Sequence, residues 1–381
     1  MIFNTYISSE NDLKLVLCAP GLKEVLIAPE ELSKDGKTPL AYAEALASAA
    51  LDAGLKTVLV WDLVMTESEF KESLSKLASL KLKAFDAIRV SDLGAARYVC
   101  DNFSQVALQL APDSADHNYD TLYSYSRAFA DRLERLSLSI ELPEDKLCEY
   151  IKRLPLDCEI LAAGPLKIFY TPRPLLHAGS RRQIKATASA ADMSNRPLPV
   201  IQTAHGTHLY LDRDYFILHK LAKLTEAGLY AARIDLRPYS PARHSAHGID
   251  RLLNAYHNNS DLRTLWPSKT GSPFFKTNKT TAQFKRLKPR ILETRDQRCL
   301  ATVLEYNKDK HTVITALKDF NLSDARIAIH PDGRMREITL SGCRDIEGRP
   351  LSNCSEGQLV VVNSLYALTP GTLITTASSC T

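Results

Sequence analysis

The 381-residue sequence has no uninterrupted apolar run of roughly 18 residues, the length a membrane-crossing helix requires, so no membrane association is expected. Its start, MIFNTYISSENDLKLVL, has no basic segment leading into an apolar stretch, so no signal peptide is expected either. Eight cysteines (Cys18, Cys100, Cys148, Cys158, Cys299, Cys343, Cys354 and Cys380) are scattered, and none forms CxxC or falls at zinc-ribbon spacing. They read as mostly buried free thiols of a cytoplasmic protein. The phosphate cradles GxGxxG and GxxxxGKS, the nucleophile elbow GxSxG and the metal motif HExxH are all missing. Net charge is only +4, so a nucleic-acid partner would need a local basic surface rather than a whole-chain field.

What is present is alternation. Apolar runs at Val25–Ala28, Thr57–Asp62, Ala87–Asp92, Val106–Ala111, Leu136–Leu142 and Glu159–Ala163 read as strands. The stretches between them, Pro39–Ala53, Thr66–Leu80, Leu93–Asp101, Asn118–Arg135 and Pro143–Leu154, carry apolar residues at helical spacing. Such repeated βα units without a dinucleotide-binding loop predict an α/β fold with a (β/α) barrel of the TIM type over residues 1–260. Strand ends carry Glu30, Asp62 and Asp92, with Gln109 inside its run; these would line a pocket at the barrel mouth or cap the following helices.

Glu159–His177, EILAAGPLKIFYTPRPLLH, reads as a strand that leaves the core at Gly164-Pro165 and reaches a proline-held Arg173 after the aromatic pair Phe169-Tyr170. Ala178–Val200 is polar and without periodicity, an excursion from the core. Beyond it, His205–Asp212 reads as a strand, Asp214–Ala227 as an amphipathic helix ended by Gly228, and Tyr230–Arg237 as a further strand. Period-two alternation puts Arg233, Asp235 and Arg237 on one strand face, which makes either a closed ion network or an anion pocket; together with Arg173 they form the best anionic-ligand candidate. His205, His208, Asp212 and Asp214 form a local cluster in which a metal site is not expected.

Residues 261–295 read as a basic, aromatic linker or loop. From Thr264 to Arg290 there is no acidic residue, and Lys269, Lys276, Lys279, Lys285 and Arg286 interleave with Trp266, Phe274, Phe275 and Phe284. Cations with aromatics suit single-stranded nucleic acid, and equally suit a solvated linker whose aromatics dock on the barrel. Residues 296–381 carry short alternating strands and turn signals such as Pro331-Asp332-Gly333, which predict a small all-β barrel domain.

These features resemble the collagenase-like peptidase family U32. GPLKIFYTPRPLL (Gly164–Leu176) is similar to its signature at Gly164, Leu166, Tyr170 and Arg173, and Lys167 and Pro174 stand at the two signature cysteine positions. Arg233, Ile234, Asp235 and Arg237 take the places of a second family motif. The resemblance implies a barrel-like catalytic domain whose relatives hydroxylate transfer or ribosomal RNA, or serve oxygen-independent ubiquinone hydroxylation. Those relatives hold an iron–sulfur cluster through four cysteines, and some use prephenate as oxygen source. With Lys167 and Pro174 in place of thiolates, no such 4Fe-4S cluster is expected here. The expected function is therefore that of a divergent, cluster-free member acting on or binding RNA. The alternatives are a collagenase-like protease and a non-catalytic partner of a cysteine-intact paralogue. The site residues expected, from the strand ends and local clusters as well as the matched motifs, are His205 and Asp235 as catalytic groups, with Tyr170, Arg173, Arg233, Arg237, Asp62 and Asp92 around the substrate.

Overall fold

Every second residue of the first strand, IFNTYI, is suited to one of two environments, and the structure uses both. This computed structural model describes residues 1–112, 116–178, 183–190, 193–237, 248–276, 298–307, 310–331, 333–363 and 368–376. Strands β1 (Ile2–Ile7), β2 (Leu22–Ile27), β3 (Lys56–Trp61), β4 (Ala87–Val90), β5 (Ala107–Leu110), β6 (Leu133–Ser137) and β7 (Asp157–Thr171) alternate with helices. The helices are α1 (Glu10–Leu17), α2 (Leu40–Asp52), α3 (Glu67–Ala78), α4 (Leu93–Asn102), α5 (Tyr119–Phe129) and α6 (Glu144–Arg153). Each strand pairs in parallel with the next.

After β7 the chain makes three further long strands, β8 (Ile184–Ala190), β9 (Met193–Thr203) and β10 (Gly206–Phe216). A short helix, α7 (Ala222–Glu226), then leads into β11 (Ala231–Ile234) and α8 (Ile249–His257). Strand β11 pairs in parallel with both β7 and β1, which closes an eight-stranded parallel barrel. The expected barrel is therefore present. The barrel strand not expected from the sequence is β1, whose short, half-polar run offers little periodicity.

The main core lies between sheet and helices, where Phe3, Val25, Leu59, Ile88, Leu108, Leu136 and Ile160 meet Leu46, Leu77, Val99, Leu122 and Leu147. The opposite set of strand residues points into the barrel, where a small apolar cluster of Leu26, Ala28, Val58, Val60 and Ala87 adjoins buried polar groups. Among the described residues no helix is long and apolar enough to cross a membrane.

Three expectations are corrected. Asp214–Ala227 is not one helix: β10 runs on through Phe216, and only Ala222–Glu226 is α-helical. Asp214 is fully buried and accepts hydrogen bonds from Trp266 Nε1 at 2.8 Å and from Ser268 Oγ. Its backbone N–H donates to Lys269, and β12 (Thr270–Gly271) extends this pairing, so distant partners outweigh local helical spacing. The polar excursion after residue 178 contains strands β8 and β9: β9 pairs antiparallel with β10 and β8 lies beside β9, and backbone pairing of this kind needs no apolar periodicity. The strand expected at Leu136–Leu142 lies at Leu133–Ser137, with charged Glu134 and Arg135 inside it.

Strand β7 belongs to both systems. Its first half lies in the barrel, and its second half pairs antiparallel with β10. Gly164 marks the changeover at φ +156°; a Cβ there would sit 2.9 Å from Asp235 Cβ and from the Asp235 carbonyl oxygen, so only glycine lets the strands pass this closely.

The chain divides into two compact units, Met1–Ala188 with Leu198–Ala282, and Ser189–Pro197 with Gln283–Thr381. In the second unit, β13 (Cys299–Asn307), β14 (His311–Ala316), β15 (Phe320–Asn321), β16 (Ile327–Ile329), β17 (Met335–Glu337), β18 (Asn353–Cys354), β19 (Leu359–Asn363) and β20 (Leu373–Thr375) are all antiparallel. Six form a sheet in the order β17-β16-β20-β13-β14-β19, over a core that includes Val303, Ile314, Val360, Val362 and Ile374. This is the expected all-β C-terminal region.

Candidate anion-binding site at the barrel mouth

One charged or amide residue stands at similar height in most barrel strands: Asn4, Glu24, Arg89, Gln109, Arg135, Glu159 and Arg233. All are buried except Arg233, which is largely so. Glu159 is at the centre. Arg89 donates to its two carboxylate oxygens at 2.7 and 2.6 Å, Arg233 Nη1 at 2.7 Å and Asn4 at 2.7 Å. Arg135 Nη1 bridges Glu24 at 2.5 Å and Glu159 at 3.3 Å. Gln109 accepts from Arg89 Nε at 3.0 Å.

Burial alone would raise the Glu159 carboxyl, but Arg89, Arg233 and Arg135 overcome it and hold the pKa down at about 2. Burial also opposes charge on Arg135, yet Glu24 and Glu159 keep its pKa above the usual value. Three guanidiniums against two fully enclosed carboxylates leave a cationic floor.

Above this floor is a cavity of about 240 Å³ at the C-terminal ends of the strands, where barrel enzymes place their chemistry. Arg89 and Arg233 line it from below, and Lys167, Asp62, Asp235 and Arg237 from the sides. Asp235 is chelated by Arg237, with Nε to Oδ1 at 3.1 Å and Nη2 to Oδ2 at 2.9 Å, and the Arg237 guanidinium covers the Tyr6 ring. Burial opposes ionisation of Asp235, but Arg237 lowers its pKa. The strand face Arg233–Asp235–Arg237 thus does both things its alternation allowed: it closes an ion network and presents cations to a cavity.

The β2–α2 loop meets the antiparallel extension along one flank. Asp62 accepts from Ser33 Oγ and Lys34 N–H, each at 2.9 Å. Lys34 is buried, which lowers its pKa to about 8 despite Asp62 nearby. The ammonium groups of Lys34 and Lys167 lie 4.8 and 5.4 Å from the centroid of the same Tyr170 ring. His208 is fully buried, 3.5 Å from Asp35 through Nε2, and burial lowers its pKa. Tyr210 OH lies 3.4 Å from each oxygen of Asp35.

Other predicted site residues lie elsewhere. His205 sits in the turn before β10, its Nε2 2.6 Å from the Glu30 carbonyl oxygen. Tyr170 donates to the His205 carbonyl at 2.7 Å, outside the cavity lining. Arg173 is exposed in the loop after β7 and does not converge with Arg237. Asp92 caps α4 by accepting from Ala95 N–H at 2.8 Å, and the Glu30 side chain is exposed. Of the basic segment, Lys269 and Lys276 are exposed, and Lys279, Lys285 and Arg286 fall outside the described residues. Trp266 and Phe275 are buried and Phe274 packs on the same core, so these rings are not free platforms for bases.

The residues at the signature cysteine positions separate: Lys167 reaches the cavity, and Pro174 is exposed. Cys158, the nearest thiol in sequence, alternates with Glu159 and so faces the helices; burial pushes its pKa up to about 12. Among the described residues no group of three or more His, Cys, Asp or Glu is placed to hold a metal. Arg89, Arg135, Glu24 and Lys34 were not singled out in the sequence. The available signal was a charge inside a run otherwise apolar enough to be buried, as with Arg89 in AIRV and Glu24 in EVLI.

No curated protein matches the sequence. Among solved structures, the U32 peptidase Mk0906 is similar at 10% identity and TM-score 0.35, over 43% of this chain and 70% of that one. The C-terminal domain of a putative U32 peptidase from Geobacillus thermoleovorans is similar at 17% identity and TM-score 0.20, over 22% of this chain and 96% of that one. The sequence profile of peptidase family U32 matches residues 38–263, more than half of the chain and most of the barrel. The chain belongs to peptidase family U32.

Proposed function

We propose that this member binds a small anionic ligand in its barrel mouth and works without an iron–sulfur cluster. The observation that carries the ligand reading is the shared anchoring of Arg89 and Arg233 on Glu159. One buried carboxylate holds two guanidiniums at the floor of a 240 Å³ cavity, where their remaining N–H groups are preorganised for a carboxylate or phosphate. Lys167 adds a third cation at the wall. The cluster-free reading is supported by donor chemistry: a Lys and a Pro stand where thiolates are needed, and they lie apart.

Calorimetric titration of the purified protein with inorganic phosphate and with succinate tests the reading. Binding of at least one of them, weakened about tenfold by loss of a charged contact in Lys167→Met, is expected. No heat with either ligand, or full affinity in Lys167→Met and Arg233→Gln alike, sinks it.

RNA is the second reading, favoured by the exposed Lys269 and Lys276 on an acid-free segment. Binding to bulk tRNA should fall steeply with salt and weaken in Lys269→Glu with Lys276→Glu. Salt-independent binding would count against it. The partner-subunit alternative is supported by the exposed apolar residues Ile168, Phe169, Leu175 and Leu176 beside Arg173. Co-purification with a cysteine-intact paralogue is its test.

A further inference from the structure

Just beyond β6, Ser139 and Glu141 line the same cavity as Arg89 and Arg233. The Ser139 hydroxyl lies 3.2 Å from His117 Nε2, and the Glu141 carboxylate lies 3.6 Å from that same nitrogen. The backbone N–H of Glu141 donates to Ser139 Oγ at 3.2 Å. In the tautomer whose Nε2 carries no proton, the Ser139 hydroxyl donates to His117, and this is the form the step below uses. The Tyr150 hydroxyl donates to the His117 carbonyl at 2.9 Å and holds the backbone at that residue. A hydroxyl paired with a base at the C-terminal end of a barrel strand meets the geometric requirement for an activated nucleophile.

We propose that Ser139 is a nucleophile for acyl transfer, with His117 as its base, acting on a small ester whose acyl part carries a carboxylate. In the first step the Ser139 O–H bond breaks, and the proton passes to His117 Nε2 as Oγ bonds to the substrate carbonyl carbon. The carbonyl electron pair moves onto its oxygen, returns and expels the alcohol, which takes the proton from His117. Water then repeats the sequence, releasing the acid and restoring Ser139; no oxidant, reductant or metal is consumed. Glu141 touches the nitrogen that receives the proton, so it stabilises the imidazolium directly and does not orient the ring from its far side as in a Ser–His–Asp relay. The 240 Å³ cavity admits a small acyl group rather than a folded polypeptide. The carboxylate preference rests on the anion-binding mouth proposed above, and the nucleophile does not.

The test has two arms on the full chain. A neutral alkyl fluorophosphonate should phosphonylate Ser139 in the folded protein, located by peptide mass spectrometry, and not after denaturation in urea. Labelling should be at least tenfold slower in His117→Gln. No adduct on Ser139 of the folded wild type overturns the proposal whatever the variants do, as does equal labelling in a folded His117→Gln. In the second arm, an aryl hydrogen succinate should turn over at least tenfold faster than the matching aryl acetate, with the difference reduced in Lys167→Met. Labelling without that preference keeps the nucleophile and overturns the carboxylate specificity.

Discussion

Arg89 and Glu159 lie seventy positions apart and form a two-point ion pair at 2.7 and 2.6 Å inside the barrel, both nearly inaccessible to water. The pair links β4 to β7 across the interior and forms the hub to which Arg233, Arg135 and Asn4 attach. Burying such groups costs several kcal/mol per ion, so the pair is not itself an argument for stability; its consequence is sharp dependence on completeness.

Glu159→Gln removes the charge that three guanidiniums share and leaves Glu24 as the one fully buried carboxylate beside Arg89 and Arg135. Breaking a buried pair by removing one partner costs about 3–5 kcal/mol. Urea unfolding should show a loss of that order. A midpoint within error of wild type would show that the interior charges are solvated or otherwise compensated.

Acid stability follows from the same residue. A folded pKa of about 2 lies below the ordinary carboxylate value, so ionised Glu159 favours folding at every pH above the unfolded pKa. That contribution is lost as pH falls from about 4.3 toward about 2, and the difference between the two states is worth about 3 kcal/mol over the window. Wild type should lose stability through this range more steeply than Glu159→Gln. Parallel acid limbs for the two proteins would contradict the assignment.

Lys34 gives the opposite limb. Its folded pKa of about 8 lies below the unfolded value, so the folded state resists protonation. That cost is present in full below pH 8 and is relieved as pH rises toward about 10.4. Thermal unfolding measured across this range should show wild type gaining on Lys34→Met. A constant difference between them would place the Lys34 ammonium in water.

The barrel was legible because six of its strands are apolar runs separated by helical spacing, whereas β1 and the β8–β9 pair were not. Residues such as Asn4 and Thr5 satisfy the ladder without advertising it, since their partners come from the closing strand β11. The Arg233–Asp235–Arg237 face was legible from period two alone. Its partner Glu159 was in view as the first residue of an apparently apolar strand, but nothing local says that Arg89 will meet it. Asp92 was legible as a cap and His205 was not legible as a turn residue, because the carbonyl it meets, that of Glu30, comes from another loop.

Gly164→Ala tests the crossing of the two sheet systems. The added methyl would meet both the Cβ and the carbonyl oxygen of Asp235 at 2.9 Å, with φ at +156°. Backbone strain of this kind costs on the order of 1–3 kcal/mol. Because the clash falls on the residue chelated by Arg237, ligand affinity at the mouth should fall together with stability. Unchanged stability and affinity would mean that β7 can shift without disturbing Asp235.

Restoring the signature thiols separates a degenerate cluster site from a rebuilt pocket. Lys167→Cys with Pro174→Cys puts sulfur back at both positions. One faces the cavity and the other is exposed in the loop beyond β7, and neither is near Cys158, whose side chain faces the helices. A cubane cluster held by protein thiolates needs four ligands. Anaerobic reconstitution of the double variant with iron and sulfide should therefore leave it colourless, with iron near background, while loss of the Lys167 charge weakens anion binding. A brown, iron-loaded double variant would show that two restored thiols suffice to gather the remaining ligands, and the reading of the mouth as a rebuilt pocket would fall.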